Sequence, residues 1–116
     1  MVGQLLLAGV PHLNLLFEDE LGISAVHFFK EKYIIHSEIY AEPTLEVMKE
    51  AKKRSLLVDK IFKDKGIKEI YTWAEAPEQH RFNKYLGYIP TNVIVNDTFV
   101  EKDYPYEVHE YRKELI

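Results

Sequence analysis

Apolar and polar residues alternate along the first third of the chain, and this is the period of strands that bury one face. The alternation predicts three strands, over Leu13–Phe17, Ile23–Lys30 and Tyr33–Glu42. Polar turns lie between them at Asp19–Gly22 and Lys30–Lys32. Two turns so close together predict an antiparallel meander.

A long helix is predicted directly after the meander. Thr44 is a good N-cap, and Glu46 lies in the first turn, where the helix dipole favours a carboxylate. Apolar or small residues then recur at helical spacing, at Val47, Met48, Ala51, Ser55, Val58, Ile61 and Phe62. Gly66 is predicted to end the helix, with Lys63 and Lys65 in its last turn.

The rest of the chain predicts shorter elements. A strand over Ile67–Ala74, a helix over Pro77–Leu86 and a strand over Tyr88–Val95 are expected, followed by a closing hairpin of Thr98–Lys102 with Tyr106–Leu115. A strand–helix–strand unit requires one parallel crossover, whereas the meander is antiparallel. The predicted fold class is therefore mixed α/β (α+β), a mainly antiparallel twisted sheet with one long and one short helix.

Composition limits the possible functions. A length of 116 residues suits one domain, expected over residues 1–116. Fifteen basic against nineteen acidic residues argue against a nucleic-acid partner. The absence of cysteine excludes a thiolate metal site and a cysteine nucleophile, and no pair of the five histidines has zinc-site spacing, so no metal is expected. Apolar runs are too short to span a membrane, which predicts a location in the cytoplasm or in a virion assembled there.

The element order resembles the GCN5-related N-acetyltransferase (GNAT) superfamily over residues 12–95. Ile35–Pro43 is similar to the family's strand that ends in a proline, and Pro43–Gly66 has the length of the helix that follows. His80–Tyr88, with its Leu-Gly-Tyr ending, is similar to the family's signature near the carboxyl end. The resemblance implies a GNAT-like (acyl-CoA N-acyltransferase) fold that lacks the usual amino-terminal strand and two helices. The chain looks like the short GNAT-like proteins of tailed phages.

In this family acyl-CoA lies between two splayed strands, and its pyrophosphate is held at the start of the long helix. The family's Arg/Gln-x-x-Gly-x-Gly/Ala motif falls on Glu46–Ala51, where only Ala51 agrees. Glu46 replaces the arginine and Lys49 the central glycine, which predicts weak or absent binding of acetyl-CoA. The cofactor-binding residues that the resemblance implies are Ala41, Lys49, Ala51, Lys52 and Asn83. Lys49, Lys52, Lys53 and Arg54 either supply replacement charge or form a solvated helix face.

One face of the third predicted strand carries a polar stripe of His36, Glu38, Tyr40 and Glu42. The resemblance implies that a carboxylate here deprotonates the incoming amine. Glu38 is the first candidate for this general base, flanked by His36, and Glu42 is the second; a wet sheet face is the alternative interpretation. The family's acid tyrosine is replaced by Phe82-Asn83, and Tyr85 lies half a helical turn away.

Two functions remain open. The first is acyl transfer from acyl-CoA to a primary amine. The second is a non-catalytic GNAT-fold binding or assembly module, for example a phage structural or host-interaction protein. A homo-oligomer or another protein subunit is the expected partner, because the shortened fold leaves apolar surface uncovered. The predicted contact is the strand Tyr106–Leu115 or the amino-terminal segment.

Overall fold

The computed structural model describes residues 14–95 and 107–116, which form six strands and two helices. The strands are β1 (Asn14–Glu18), β2 (Gly22–Phe29), β3 (Lys32–Ile39), β4 (Glu69–Ala74), β5 (Ile89–Ile94) and β6 (His109–Glu114), and the helices are α1 (Leu45–Asp64) and α2 (Pro77–Tyr85). The predicted element order is confirmed within these ranges. The predicted strand Thr98–Lys102 and the segment before Asn14 lie outside the described residues. Neither described helix is long and apolar enough to cross a membrane.

The strands form one mixed sheet in the order β1-β2-β3-β4-β6-β5. Four of its pairings are antiparallel, and β3 with β4 is the parallel pair that the crossover through α1 requires. β6 lies between β4 and β5, so a contact in which the predicted strand Tyr106–Leu115 pairs edge to edge with a second copy is wrong. Both of its edges already hydrogen-bond within the sheet. Oligomer formation itself stays a prediction.

Both helices end at a glycine in the left-handed region. The φ of Gly66 is +82° and that of Gly87 is +94°, a conformation that a side chain disfavours. The next N–H groups, of Ile67 and Tyr88, donate back to helix carbonyls at 3.1 and 3.0 Å. These bonds keep both residues in the helix caps, so β4 and β5 begin later than the alternation predicts.

The third strand is shorter than predicted, because β3 ends at Ile39 rather than at Glu42. The N–H groups of Tyr40 and Ala41 both donate to the carbonyl of Leu21, at 2.8 and 3.3 Å. The chain therefore bends toward the β1–β2 turn instead of continuing along the sheet.

Both helices pack on one face of the sheet. α1 buries Ala51, Val58 and Phe62, and the main core combines Ile35, Val58, Phe62, Ile70, Ala74, Leu86, Tyr88 and Tyr111. The opposite face has a second cluster of Ile34, Tyr71, Trp73 and Val108. Neighbouring residues of β3, such as Ile34 and Ile35, therefore belong to different clusters on opposite faces of the sheet.

Candidate active site

A cleft opens where the parallel pair separates. β3 and β4 are in register only at Ile34 and Tyr71. Just beyond, the Thr72 hydroxyl donates to the Ile35 carbonyl at 2.7 Å and bridges the two strands. The cleft beyond this bridge has a volume of about 80 Å³. This is the scale of a small acyl group, since pockets for drug-sized ligands hold roughly 300–1,000 Å³.

The walls of the cleft come from both helices and from four strands. α1 contributes the residues Ala51, Arg54, Ser55 and Val58, α2 contributes Gln79, Phe82 and Asn83, and the strands contribute Phe17, Gly22, Ile23, Ser24, Ile35, His36, Ser37, Glu38, Ile39, Thr72 and Trp73. Among the lining residues that the structure describes, Glu38 is the one carboxylate and Arg54 the one cation. A mostly apolar cleft with one charge of each sign suits a small reactive group whose ends differ in charge.

Glu38, the first candidate for the general base, lies half-buried on β3 and lines the cleft. Its position depends on Gly22, which stands in the neighbouring strand. A Cβ at Gly22 would overlap the carbonyl oxygen of Glu38, so this position admits only glycine without a backbone shift. The close approach of β2 to β3 therefore fixes the backbone that carries the carboxylate.

His36 also lines the cleft, but it is held by aromatic neighbours. Its Nε2 lies 2.7 Å from Nδ1 of His27, and the two rings stack with centroids 4.7 Å apart. Both rings meet the Trp73 indole edge-on, at 5.4 and 5.3 Å. Burial and the neighbouring imidazole lower the pKa of His36 to about 3, and burial also lowers the pKa of His27. Both imidazoles are therefore neutral near pH 7, and the His36 ring is held between His27 and Trp73.

The other two residues of this stripe, Tyr40 and Glu42, lie outside the cleft lining, and so does the predicted cofactor residue Ala41. Glu42 is exposed beyond the end of β3, and Ala41 is bonded through its N–H to Leu21. The Tyr40 hydroxyl donates to the Glu18 carboxylate at 2.7 Å. The structure therefore brings His36 and Glu38 together and leaves Glu42 apart from them.

Some of the predicted cofactor-binding residues line the cleft, and others lie outside it. Ala51 and Asn83 are buried and line the cleft, and the Asn83 side chain donates to the Trp73 carbonyl at 3.4 Å. Lys49 and Lys52 are exposed and absent from the lining, and the Lys52 ammonium lies 5.0 Å from the centre of the Tyr85 ring.

The first turn of α1 caps itself. The Thr44 hydroxyl accepts the N–H of Val47 at 3.2 Å, and the exposed Glu46 adds a negative charge to the same turn. Because one of the free helix donors is already taken and an anion is already present, this end is a poorer phosphate site than a glycine-rich one.

Arg54 lies two to three turns further along α1 and reaches across the cleft entrance. Its guanidinium binds both carboxylate oxygens of Asp19, at 2.7 and 2.6 Å, and lies 5.6 Å from the centre of the Phe17 ring. The Asp19 carboxylate also accepts the N–H groups of Leu21 and Gly22, at 2.9 and 3.3 Å. The hydrogen bond from Arg54 holds the pKa of Asp19 below its usual value. We call the Asp19–Arg54 contact the mouth pair.

A second ion pair lies on the opposite flank of α1. The Lys113 ammonium lies 3.1 Å from the Asp59 carboxylate, 3.3 Å from the Ser55 hydroxyl and 4.4 Å from the centre of the Tyr88 ring. Burial lowers the pKa of Lys113, while Asp59 opposes that shift. Burial raises the pKa of Tyr88, so its hydroxyl stays protonated. We call the Asp59–Lys113 contact the floor pair.

Sequence reasoning missed His27 and Thr72 as site residues and named Arg54 only as possible replacement charge. The feature that could have placed His27 in the site is the two-residue turn Lys30–Glu31, in which both φ angles are positive, +49° and +65°. That turn sets His27 opposite Ile34, diagonal to His36 on the same face. No local pattern marks the hydroxyl of Thr72, because its role follows from the separation of two distant strands.

Within residues 14–95 and 107–116, no three His, Asp or Glu side chains are grouped so that they could hold a metal ion. No family model matches the sequence, and no curated protein matches it significantly.

A solved structure of similar fold is that of a “putative acetyltransferase” from Sphaerobacter thermophilus, with a TM-score of 0.50 and 14 % sequence identity. The match covers 84 % of this chain and 62 % of that protein, so the chain spans less than two thirds of its length. At this identity the likeness concerns the fold alone. With the strand order and the single parallel pair, it confirms the predicted fold class: a mixed, mainly antiparallel sheet with two helices in a GNAT-like arrangement.

Proposed function

We propose that the protein transfers an acyl group, with acetyl the simplest case, from acyl-CoA to a primary amine. The observation that carries the proposal is the position of Glu38, the one carboxylate among the described lining residues, in a small cleft at the splayed parallel pair. A carboxylate in an apolar cleft attracts an ammonium group and can take its proton. The cleft volume of about 80 Å³ suits the acyl end of the donor.

The reaction needs few groups from the protein. The amine nitrogen attacks the thioester carbonyl carbon, the new C–N bond forms, and the C–S bond breaks to release the CoA thiolate. Glu38 accepts the proton that the amine loses. The leaving thiolate belongs to a thiol with an ordinary pKa of about 8.5, so it leaves readily and takes a proton from water. No tyrosine in α2 is required.

The developing oxyanion needs a donor in the gap between β3 and β4. The Ile35 carbonyl points toward β4, because it accepts the Thr72 hydroxyl. Backbone groups of alternate residues in a strand point the same way, so those of Ser37 also face the gap. We assign the N–H of Ser37 to the thioester oxygen. A preorganised donor of this kind is worth about 10²–10³ in rate.

Binding of CoA is expected to be weak. The first turn of α1 is capped by Thr44 and carries the negative charge of Glu46. Its backbone N–H groups are therefore poorly suited to bind the pyrophosphate, which the corresponding groups hold in similar folds. A low micromolar Kd requires about 7–8 kcal/mol of well-formed contacts. Titration with acetyl-CoA by calorimetry is expected to give a Kd weaker than this.

The test of function is release of free thiol from acetyl-CoA in the presence of a panel of primary amines. Glu38→Gln keeps the shape of the side chain and removes the base, and we expect kcat to fall by about 10²–10⁴. Glu42→Gln is the matched control, because Glu42 is exposed and outside the cleft lining. Equal activity of the Glu38→Gln and wild-type proteins would contradict the assignment. Absence of any CoA binding would favour the non-catalytic binding module instead.

A further inference from the structure

We propose that Arg54 is the phosphate-binding cation of this cleft, and that Asp19 holds the guanidinium in place until a phosphate of CoA displaces the carboxylate. The inference rests on the proposed function and names the anion contact of that same site. Asp19 is then a competitor for the ligand rather than only a structural partner.

The charges around the cleft favour Arg54 as the residue that binds an anion. Among the described residues that line the cleft, Arg54 alone carries a positive charge. The first turn of α1 offers a capped amide and the carboxylate of Glu46. Arg54 lies ten residues after Thr44, which is about 15 Å along the helix. An anion that enters this cleft therefore meets its cation well beyond the usual helix terminus.

The size of the cleft also favours a phosphate contact at Arg54. A cleft of about 80 Å³ holds the acyl end of the donor, so the phosphates of CoA must lie outside its interior. Arg54 is placed where the lining meets solvent, since its side chain is 22 % exposed and that of Asp19 is 45 % exposed. The guanidinium therefore remains reachable from the solvent side.

A phosphate can replace the Asp19 carboxylate on the guanidinium of Arg54. A guanidinium fork fits a carboxylate and a phosphate with the same pair of parallel hydrogen bonds. The Asp19 Oδ1 still accepts the N–H groups of Leu21 and Gly22 when the arginine leaves. Exposed ion pairs contribute little net stability, so the exchange loses little. Glu50, whose carboxylate lies 3.5 Å from the Arg54 Nε, still supports the side chain from the preceding turn.

The experiment measures affinity in four proteins with three probes. The proteins are wild type, Arg54→Gln, Asp19→Asn and Lys53→Gln, and the probes are CoA, 3′-dephospho-CoA and pantetheine, titrated by calorimetry in low salt. Asp19→Asn keeps an oxygen for the Leu21 and Gly22 amides and removes the competing charge. Lys53→Gln is the matched control, because it removes the same charge one residue away from an exposed position.

We expect Arg54→Gln to weaken CoA binding about tenfold and Asp19→Asn to strengthen it about threefold, with Lys53→Gln close to wild type. Pantetheine, which has no phosphate, should bind all four proteins equally. Loss of the Arg54→Gln effect with 3′-dephospho-CoA would support the proposal and assign the contact to the 3′-phosphate; persistence would support it and assign the pyrophosphate.

Three results would overturn the inference. If CoA binds and the Asp19→Asn and Arg54→Gln proteins shift its affinity in the same direction, or not at all, the pair is structural only and the proposed function is untouched. If no variant binds CoA or pantetheine, the proposed function fails and the inference fails with it. An effect of Lys53→Gln as large as that of Arg54→Gln would reduce the contact to long-range charge and also overturn it.

Discussion

The two ion pairs that join α1 to the sheet differ in burial and in what surrounds them. The floor pair, Asp59 with Lys113, has side chains that are 17 % and 10 % exposed, and Lys113 also contacts Ser55 and Tyr88. The mouth pair, Asp19 with Arg54, is 45 % and 22 % exposed. Both are short, yet burial makes one a fixed part of the fold and leaves the other open to exchange.

The difference between the two pairs shows which ion pairs can exchange a partner for a ligand. A charge in a low-dielectric interior cannot lose its partner without a large desolvation penalty. An exposed charge can, because water replaces the partner. Function that depends on exchange is therefore expected at the cleft mouth, and function that depends on fixed geometry is expected at the floor and along β3.

The largest effect is expected from breaking the floor pair. Lys113→Met leaves the Asp59 carboxylate without its partner, and we expect the free energy of unfolding to fall by about 3 kcal/mol. Chemical denaturation measures this loss. Lys60→Ala, which breaks the exposed pair with Asp64, is the control and should cost less than about 0.5 kcal/mol. Recovery of stability in Lys113→Met with Asp59→Leu would confirm the cause, whereas an equally unstable double variant would point to lost packing against Tyr88.

The mouth also has one rigid position, and Gly22→Ala tests it. A Cβ there would overlap the carbonyl oxygen of Glu38, so the backbone of β2 or β3 must shift. We expect a loss of about 2 kcal/mol in unfolding free energy. A thiol-release assay should also show reduced activity, because Glu38 moves. Gly66→Ala is the comparison, since a Cβ at Gly66 meets nothing within 4 Å and only its φ of +82° is strained.

Low pH is expected to reduce the stability that the buried pair of His27 and His36 contributes, and to leave the contribution of the mouth pair unchanged. The pKa of His36 is about 3 in the folded state against an ordinary 6.5, so only the unfolded chain gains a proton between these values. Stability contributed by the neutral ring is complete above pH 6.5 and is lost as the pH falls toward 3. The lowered pKa of His36 alone should reduce the free energy of unfolding by about 2 kcal/mol between pH 6.5 and pH 5. Denaturation at several pH values should give a smaller slope for His36→Gln, and an unchanged slope would contradict the burial argument.

The smallest effect on stability is expected at the mouth pair. Arg54→Gln and Asp19→Asn should each change the free energy of unfolding far less than Lys113→Met does, because the Asp19 carboxylate is exposed to solvent. Their effects on CoA affinity should nevertheless be opposite in sign. A stability loss comparable to that of Lys113→Met would show that the mouth pair is part of the core and would remove the contrast between the two regions.

Much of the fold could be predicted from local pattern. Thr44 at the start of α1, and Gly66 and Gly87 after the helices, end or begin elements through bonds to their own neighbours, so the sequence nearby is sufficient. The parallel crossover follows from the strand–helix–strand order. The exact start of β4 and β5 was missed because Ile67 and Tyr88 have strand-like side chains but helix-capping amides.

The sequence by itself determined the order of elements, the caps of both helices and the polar face of β3 that carries Glu38, because each depends on periodicity or on neighbours in the chain. Only the tertiary structure decided that β6 lies inside the sheet, that His36 stacks on His27, and that Arg54 reaches Asp19 while Lys49 and Lys52 remain outside the cleft. These contacts join residues far apart in sequence. Their partners are selected by strand register and by the packing of α1, which no local pattern records.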